Sequence, residues 1–139
     1  MKKPNCIEKR SFLYGSKTSV EERIRLGEEF LAEGAFADAL NFFAAAEYRE
    51  GLERVRDHAV EEGDAFLLRQ VARARGLVEV TPDRWARAAA QAERAGKLRF
   101  AAIAYREAGR EDEATRLEGR AGVSETAEHP GTSTDVSAP

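Results

Sequence analysis

One pattern of small and aromatic residues is written twice, sixty-two positions apart, and no other feature restricts the possible folds of this chain as strongly. Leu26-Gly27-x2-Phe30 and Ala39-x3-Phe43-x2-Ala46 return as Ala88-Ala89-x2-Ala92 and Ala101-x3-Tyr105-x2-Ala108. Gly34 returns as Gly96, and each precedes an apolar residue, Phe36 or Leu98, that restarts a helical period. Each copy therefore reads as two helices joined by a short glycine turn, and repetition of such a hairpin predicts a stacked helical array. Antiparallel helices approach to about 8 Å only where the crossing residues are small. Gly27, Ala39 and Ala46, then Ala89, Ala101 and Ala108, supply those crossings, with Phe30, Phe43 and Tyr105 expected beside them. Alanine-rich packing in an ordinary helical bundle is the alternative.

The spacing resembles the tetratricopeptide repeat. Its offsets fall on Arg23, Leu26, Gly27, Phe30, Ala39, Phe43 and Ala46, and again on Trp85, Ala88, Ala89, Ala92, Ala101, Tyr105 and Ala108. The copies span about residues 20–53 and 82–115 and flank a degenerate middle hairpin. The resemblance implies an all-α fold, a short α-solenoid of about three helix-turn-helix hairpins plus a C-terminal capping helix. It also implies a protein-interaction adaptor or scaffold that binds a peptide or helix of a partner in a concave groove lined by the first helix of each pair. The inward offsets fall on Ile24, Glu28 and Leu31 in one copy and on Ala86, Ala90 and Glu93 in the other. The Lys, Asn and Arg clamp of some chaperone-binding members is absent at these offsets, so capture of a terminal carboxylate is not expected.

At 139 residues the chain suits a single domain. Charged residues at 34% and apolar residues at 42% fit soluble amphipathic helices. No run of apolar residues is long enough to span a membrane, and Met1-Lys2-Lys3-Pro4 does not open a signal peptide, so cytoplasm is the default expectation. The single Cys6 rules out an internal disulfide, and it has no neighbouring ligands for zinc. A net charge of -3 argues against nucleic acid as the partner.

Three regions are expected along the chain: a basic arm over residues 1–18, the solenoid over 19–119 and a disordered tail over 120–139. The arm combines Lys2, Lys3, Lys9, Arg10 and Lys17 with an apolar cluster, Phe12, Leu13 and Tyr14. That cluster packs either on its own solenoid or in the groove of a second copy, which would make the protein a self-associating scaffold. Ser19-Val20-Glu21-Glu22 is a capping box that starts the first helix. The second helix is expected from Phe36 to about Arg49, with Gly51 stopping it. Leu52, Val55 and Ala59 form a third helix ending at Gly63, and Asp64 caps a fourth that carries Phe66, Leu67, Leu68 and Val71 to Gly76. Thr81-Pro82-Asp83 starts the fifth helix, Leu98 the sixth, and Glu111 to about Gly119 the closing one.

No catalytic residue, metal ligand or cofactor site is expected. The chain lacks a phosphate loop, a paired-histidine motif on a helix and a nucleophile elbow. Its carboxylates alternate with arginines at helical spacing and read as solvated faces, and His58 stands without ligand partners in sequence. One anion-binding alternative remains. Arg69 and Arg73 on the fourth helix and Arg84 and Arg87 on the fifth could pool charge for an acidic peptide or, less readily, nucleic acid; otherwise they cover an outer face and pair with nearby acids.

Overall fold

Helix caps and turns, more than core residues, set where the elements begin and end. The computed structural model describes residues 19–74 and 76–128, and it is all-α. The described helices are α1 (Val20–Ala32), α2 (Phe36–Ala45), α3 (Arg49–Glu62), α4 (Ala65–Arg73), α5 (Pro82–Arg94), α6 (Leu98–Glu107) and α7 (Glu111–Glu128). Neighbouring helices pack as α1/α2, α5/α6 and α6/α7, a helical-repeat arrangement of hairpins. Every boundary from the start of α1 to the start of α3 recurs sixty-two residues later, from α5 to α7.

The repetition extends to individual hydrogen bonds. Ser19 Oγ accepts from the Glu22 amide at 3.1 Å, and Thr81 Oγ1 accepts from the Arg84 amide at 3.3 Å. Each satisfies one of the orphan donors of a helix start. At the other end, Gly34 and Gly96 turn left-handed with φ of 81° and 80°. The Ala35 and Lys97 amides reach back to the Phe30 and Ala92 carbonyls at 2.9 and 2.8 Å, while Gly34 and Gly96 bond Leu31 and Glu93 at 3.0 Å. This pair of bonds is the Schellman motif. It closes α2 and α6 as well, through Tyr48 to Phe43 and Arg110 to Tyr105, both at 2.8 Å.

Those closures correct the expected end of the second helix. Glu47, with φ of 53°, takes the left-handed position that Gly109 takes in the other copy, so α2 stops at Ala45 and Gly51 lies inside α3. Gly51 serves packing instead. The Phe43 ring is fully buried; a Cβ added at Gly27 or at Gly51 would stand 2.5 Å from it. Phe43 thus occupies the close contacts, where a place beside them was expected: the glycines of α1 and α3 make room for a ring.

By internal contacts the described chain divides into two compact units. One holds the residues up to Ala59 together with Phe66–Val80, and the other holds Val60–Ala65 together with the residues from Thr81 on. In the first unit α1 packs on α2, Phe30 stacks on Phe42 with centroids 5.4 Å apart, and Leu52, Val55, Leu68 and Val71 are buried. In the second, α5 packs on α6 and α6 on α7 around Trp85, Ala88, Ala101, Tyr105 and Leu117. There the turn at Gly63 abuts α5 so closely that a Cβ would lie 2.5 Å from the Ala92 backbone nitrogen.

Two further differences concern extent and burial. The helical backbone of α7 continues through Glu128, past the expected boundary of the tail at residue 120. No proline interrupts the chain between Pro82 and Pro130, and extending an existing helix adds a hydrogen bond per residue without a new nucleus. Phe66, expected among the apolar residues of the fourth helix, is 61% exposed, while Leu67, Leu68 and Val71 hold the buried side.

Candidate partner-binding face

On α1, Ile24, Glu28 and Leu31 are all half-buried, on a helix whose Leu26, Gly27 and Phe30 face the core. The Glu28 carboxylate is held by Arg54 of α3, whose Nη2 contacts both carboxylate oxygens. The Arg54 guanidinium also lies 5.9 Å from the Phe43 ring centroid, within cation–π range. A single arginine therefore ties α3 to α1 along this face and restrains the glutamate.

On α5 the equivalent positions are Ala86, half-buried, Ala90, exposed, and Glu93, half-buried. Glu93 Oε1 accepts from the Tyr105 hydroxyl at 3.1 Å. Its Oε2 faces two guanidiniums of α7, with Arg116 Nη2 at 3.5 Å and Arg120 Nη1 at 3.6 Å. Burial of Tyr105 and then its bond to Glu93 raise the phenol pKa above its ordinary value. The neutral hydroxyl remains the donor through the physiological range.

The two faces share one architectural residue. Arg116 stands sixty-two positions after Arg54, and each pairs with an acid on the first helix of its copy. The acid has moved one turn, from Glu28 to Glu93, the counterpart of Leu31. Extending the repeat comparison past Ala46 and Ala108 would have exposed this arginine in the sequence. The Tyr105–Glu93 bond and the convergence of Arg120 require three-dimensional placement and carry no sequence signal of their own.

The four arginines of the anion alternative divide between the units. Arg69 is half-buried and Arg73 exposed on α4, while Arg84 and Arg87 are exposed on α5. Arg87 Nη2 pairs with Glu61 Oε1 at 2.7 Å, and Gln91 donates to the other oxygen of Glu61 at 3.4 Å. Phe12, Leu13 and Tyr14, together with Cys6 and His129, lie outside the described residues. Among the described residues no three His, Cys, Asp or Glu side chains gather as metal ligands would. His58 stacks on Phe36, with centroids 3.6 Å apart and planes 9° from parallel.

No described helix is long and apolar enough to cross a membrane. Comparisons with protein-family models, with curated proteins and with solved structures find no match.

Proposed function

We propose that the chain is a non-enzymatic, tetratricopeptide-like interaction module whose units each present a face for a peptide or helix of a partner protein, on α1 in one unit and on α5 in the other. The observation that supports this most directly is the matched placement of Ile24, Glu28 and Leu31 with Ala86, Ala90 and Glu93. These residues sit on duplicated helices whose opposite sides are committed to core, and none of the six is fully buried. Each face offers short or apolar side chains next to an acid fixed by an arginine, a surface on which shape and a few polar contacts select a ligand. Rigid helices present such a surface with little entropy lost on binding.

The test uses Leu31→Glu and Ala90→Glu, separately and together, in the full chain. Both positions are accessible, so helix content by circular dichroism should persist. Capture of partner proteins from a cell lysate should fall with each change and vanish with both. Undiminished capture by the folded double variant would refute the assignment of these faces.

A further inference from the structure

The two arginines that meet at Glu93 have more hydrogen-bonding capacity than that carboxylate accepts. Glu93 Oε1 is taken by Tyr105, and Oε2 is shared by Arg116 and Arg120 at 3.5 and 3.6 Å. Charge-assisted bonds between such groups shorten to about 2.7–2.9 Å when geometry allows, and each guanidinium carries five N–H donors. Three described acids of α7 pair with arginines other than these two, although the charge of Glu113 also reaches the Tyr105 hydroxyl. Glu118 bonds Arg106 at 2.7 and 2.9 Å, Glu111 bonds the same arginine at 3.1 Å, and Glu113 pairs with Arg110 at 3.6 Å. The cluster of Glu93, Arg116 and Arg120 therefore carries one excess positive charge, and both guanidiniums reach solvent, at 48% and 55% exposure.

In the other copy one guanidinium is seen at the matching acid. Arg54 meets Glu28, and the counterpart of Arg120 is His58, which stacks on Phe36. A second guanidinium at the acid is thus specific to the second copy, where Ala90 lies one helical turn before Glu93 and its short side chain leaves room for a ligand backbone.

We infer that the α5–α7 face receives an acidic side chain of the bound peptide segment, held between Arg116 and Arg120 next to Ala90. The inference rests on the reading of α5 as a partner-binding helix and adds the chemistry of the ligand. The incoming carboxylate accepts from the guanidinium N–H groups that Glu93 leaves to solvent, while Glu93 keeps the two arginines side by side.

The test titrates the full chain, by calorimetry, with an alanine-rich sixteen-residue probe peptide bearing two glutamates. The peptide is acetylated and amidated so that no terminal carboxylate competes, and its counterpart carries glutamines. Two exposed ion pairs predict binding of the glutamate peptide about three- to thirtyfold tighter at low salt, and less at high salt. That ratio should fall to about one in Arg116→Gln/Arg120→Gln and survive in Arg84→Gln, as expected for pairing at this cluster. Equal binding of the two peptides, no binding of either, or equal loss in the Arg84 variant would overturn the inference. So would displacement of the peptide by a single-stranded oligonucleotide through the same two arginines. If Ala90→Glu still lowers capture from lysate in any of those cases, the face stands and only its preference for an acid falls.

Discussion

The first copy, α1 to α3, and the second, α5 to α7, share their helix boundaries and differ in almost everything that fills them. Phe30, Phe42 and Phe43 of the first correspond to Ala92, Ala104 and Tyr105 of the second. Where the first copy stacks Phe30 on Phe42, the second has two alanines, and the Gly63 turn lies against Ala92. Backbone thus supplies in one copy part of the volume that a ring supplies in the other. The caps and left-handed closures are nevertheless the same bonds at the same offsets. Local turn chemistry fixes the repeat, and core composition is free to vary as long as volume is filled.

The largest test of that comparison removes the ring that only the first copy encloses between glycines. Phe43→Ala should destabilise by about 3–5 kcal/mol, as for a fully buried aromatic. Tyr105→Phe, at the matching position, loses only the bond to Glu93, about 1 kcal/mol. Denaturant unfolding of both variants checks the contrast. Equal effects would mean that the buried Phe43 ring contributes no more than the Tyr105 hydroxyl alone.

Next in size is Gly27→Ala. Alanine raises helix propensity by about 1 kcal/mol, yet the new Cβ would press on a ring with no room to move, so a net loss of about 1–3 kcal/mol is expected. The second copy already has Ala89 there. Ala89 is fully buried, so Ala89→Gly should cost about 1–2 kcal/mol through lost propensity and a lost buried methyl group. A stabilising Gly27→Ala would show that the Phe43 slot yields.

The closures offer a change of opposite sign. Glu47 and Gly109 hold the same left-handed position, with φ of 53° and 83°. A side chain there costs about 1–2 kcal/mol, partly offset by the wider unfolded ensemble of glycine. Glu47→Gly should stabilise by about 0.5–1 kcal/mol, and Gly109→Glu should destabilise by about 1 kcal/mol. Thermal unfolding decides, and a destabilising Glu47→Gly would imply that the Glu47 side chain itself holds the turn.

These cases mark how far the sequence is legible. Helix type, the glycine turns at Gly34 and Gly96 and the Ser19 and Thr81 caps follow from local chemistry, which is why the matched offsets are reproduced in the fold. The end of α2 is not legible from residue type, because glutamate is a poor candidate for a left-handed turn and Gly51 a good one. Only the packing of Phe43 against Gly51 resolves that choice, and packing is a long-range property. Exposure of Phe66 escapes for a related reason: Leu67, Leu68 and Val71 already fill the buried side of a helix nine residues long. For the candidate site, the offsets on α1 and α5 are visible as a repeat. The arginines that border them come from α3 and α7, and their role appears only when the third helix folds back.

The smallest expected effect separates the copies by pH. Arg106 bridges α6 to α7 through Glu118 and Glu111, and its counterpart in the first copy is Ala44, which can form no ion pair. Its hydrogen bonds hold Glu118 below the ordinary glutamate pKa, outweighing an opposing effect of desolvation that is itself larger than the help from the Arg106 charge. A carboxyl group with a depressed folded-state pKa binds fewer protons folded than unfolded in that window, so stability rises with pH there and is lost on acidification. The contribution is complete above the unfolded glutamate value of about 4.3 and disappears as pH drops through the lower folded value. Protection of α7 amides, taken relative to their intrinsic exchange rate at each pH, should fall on acidification through this window more than that of α3 amides. In Glu118→Gln the excess at α7 should shrink, because the titrating partner is gone. Both ends of the pair are solvent-exposed, so the difference should also narrow in high salt. Matching acid profiles for α3 and α7 in the unaltered chain would show that the Arg106 bridge adds nothing measurable, and that the two closing helices differ only in packing.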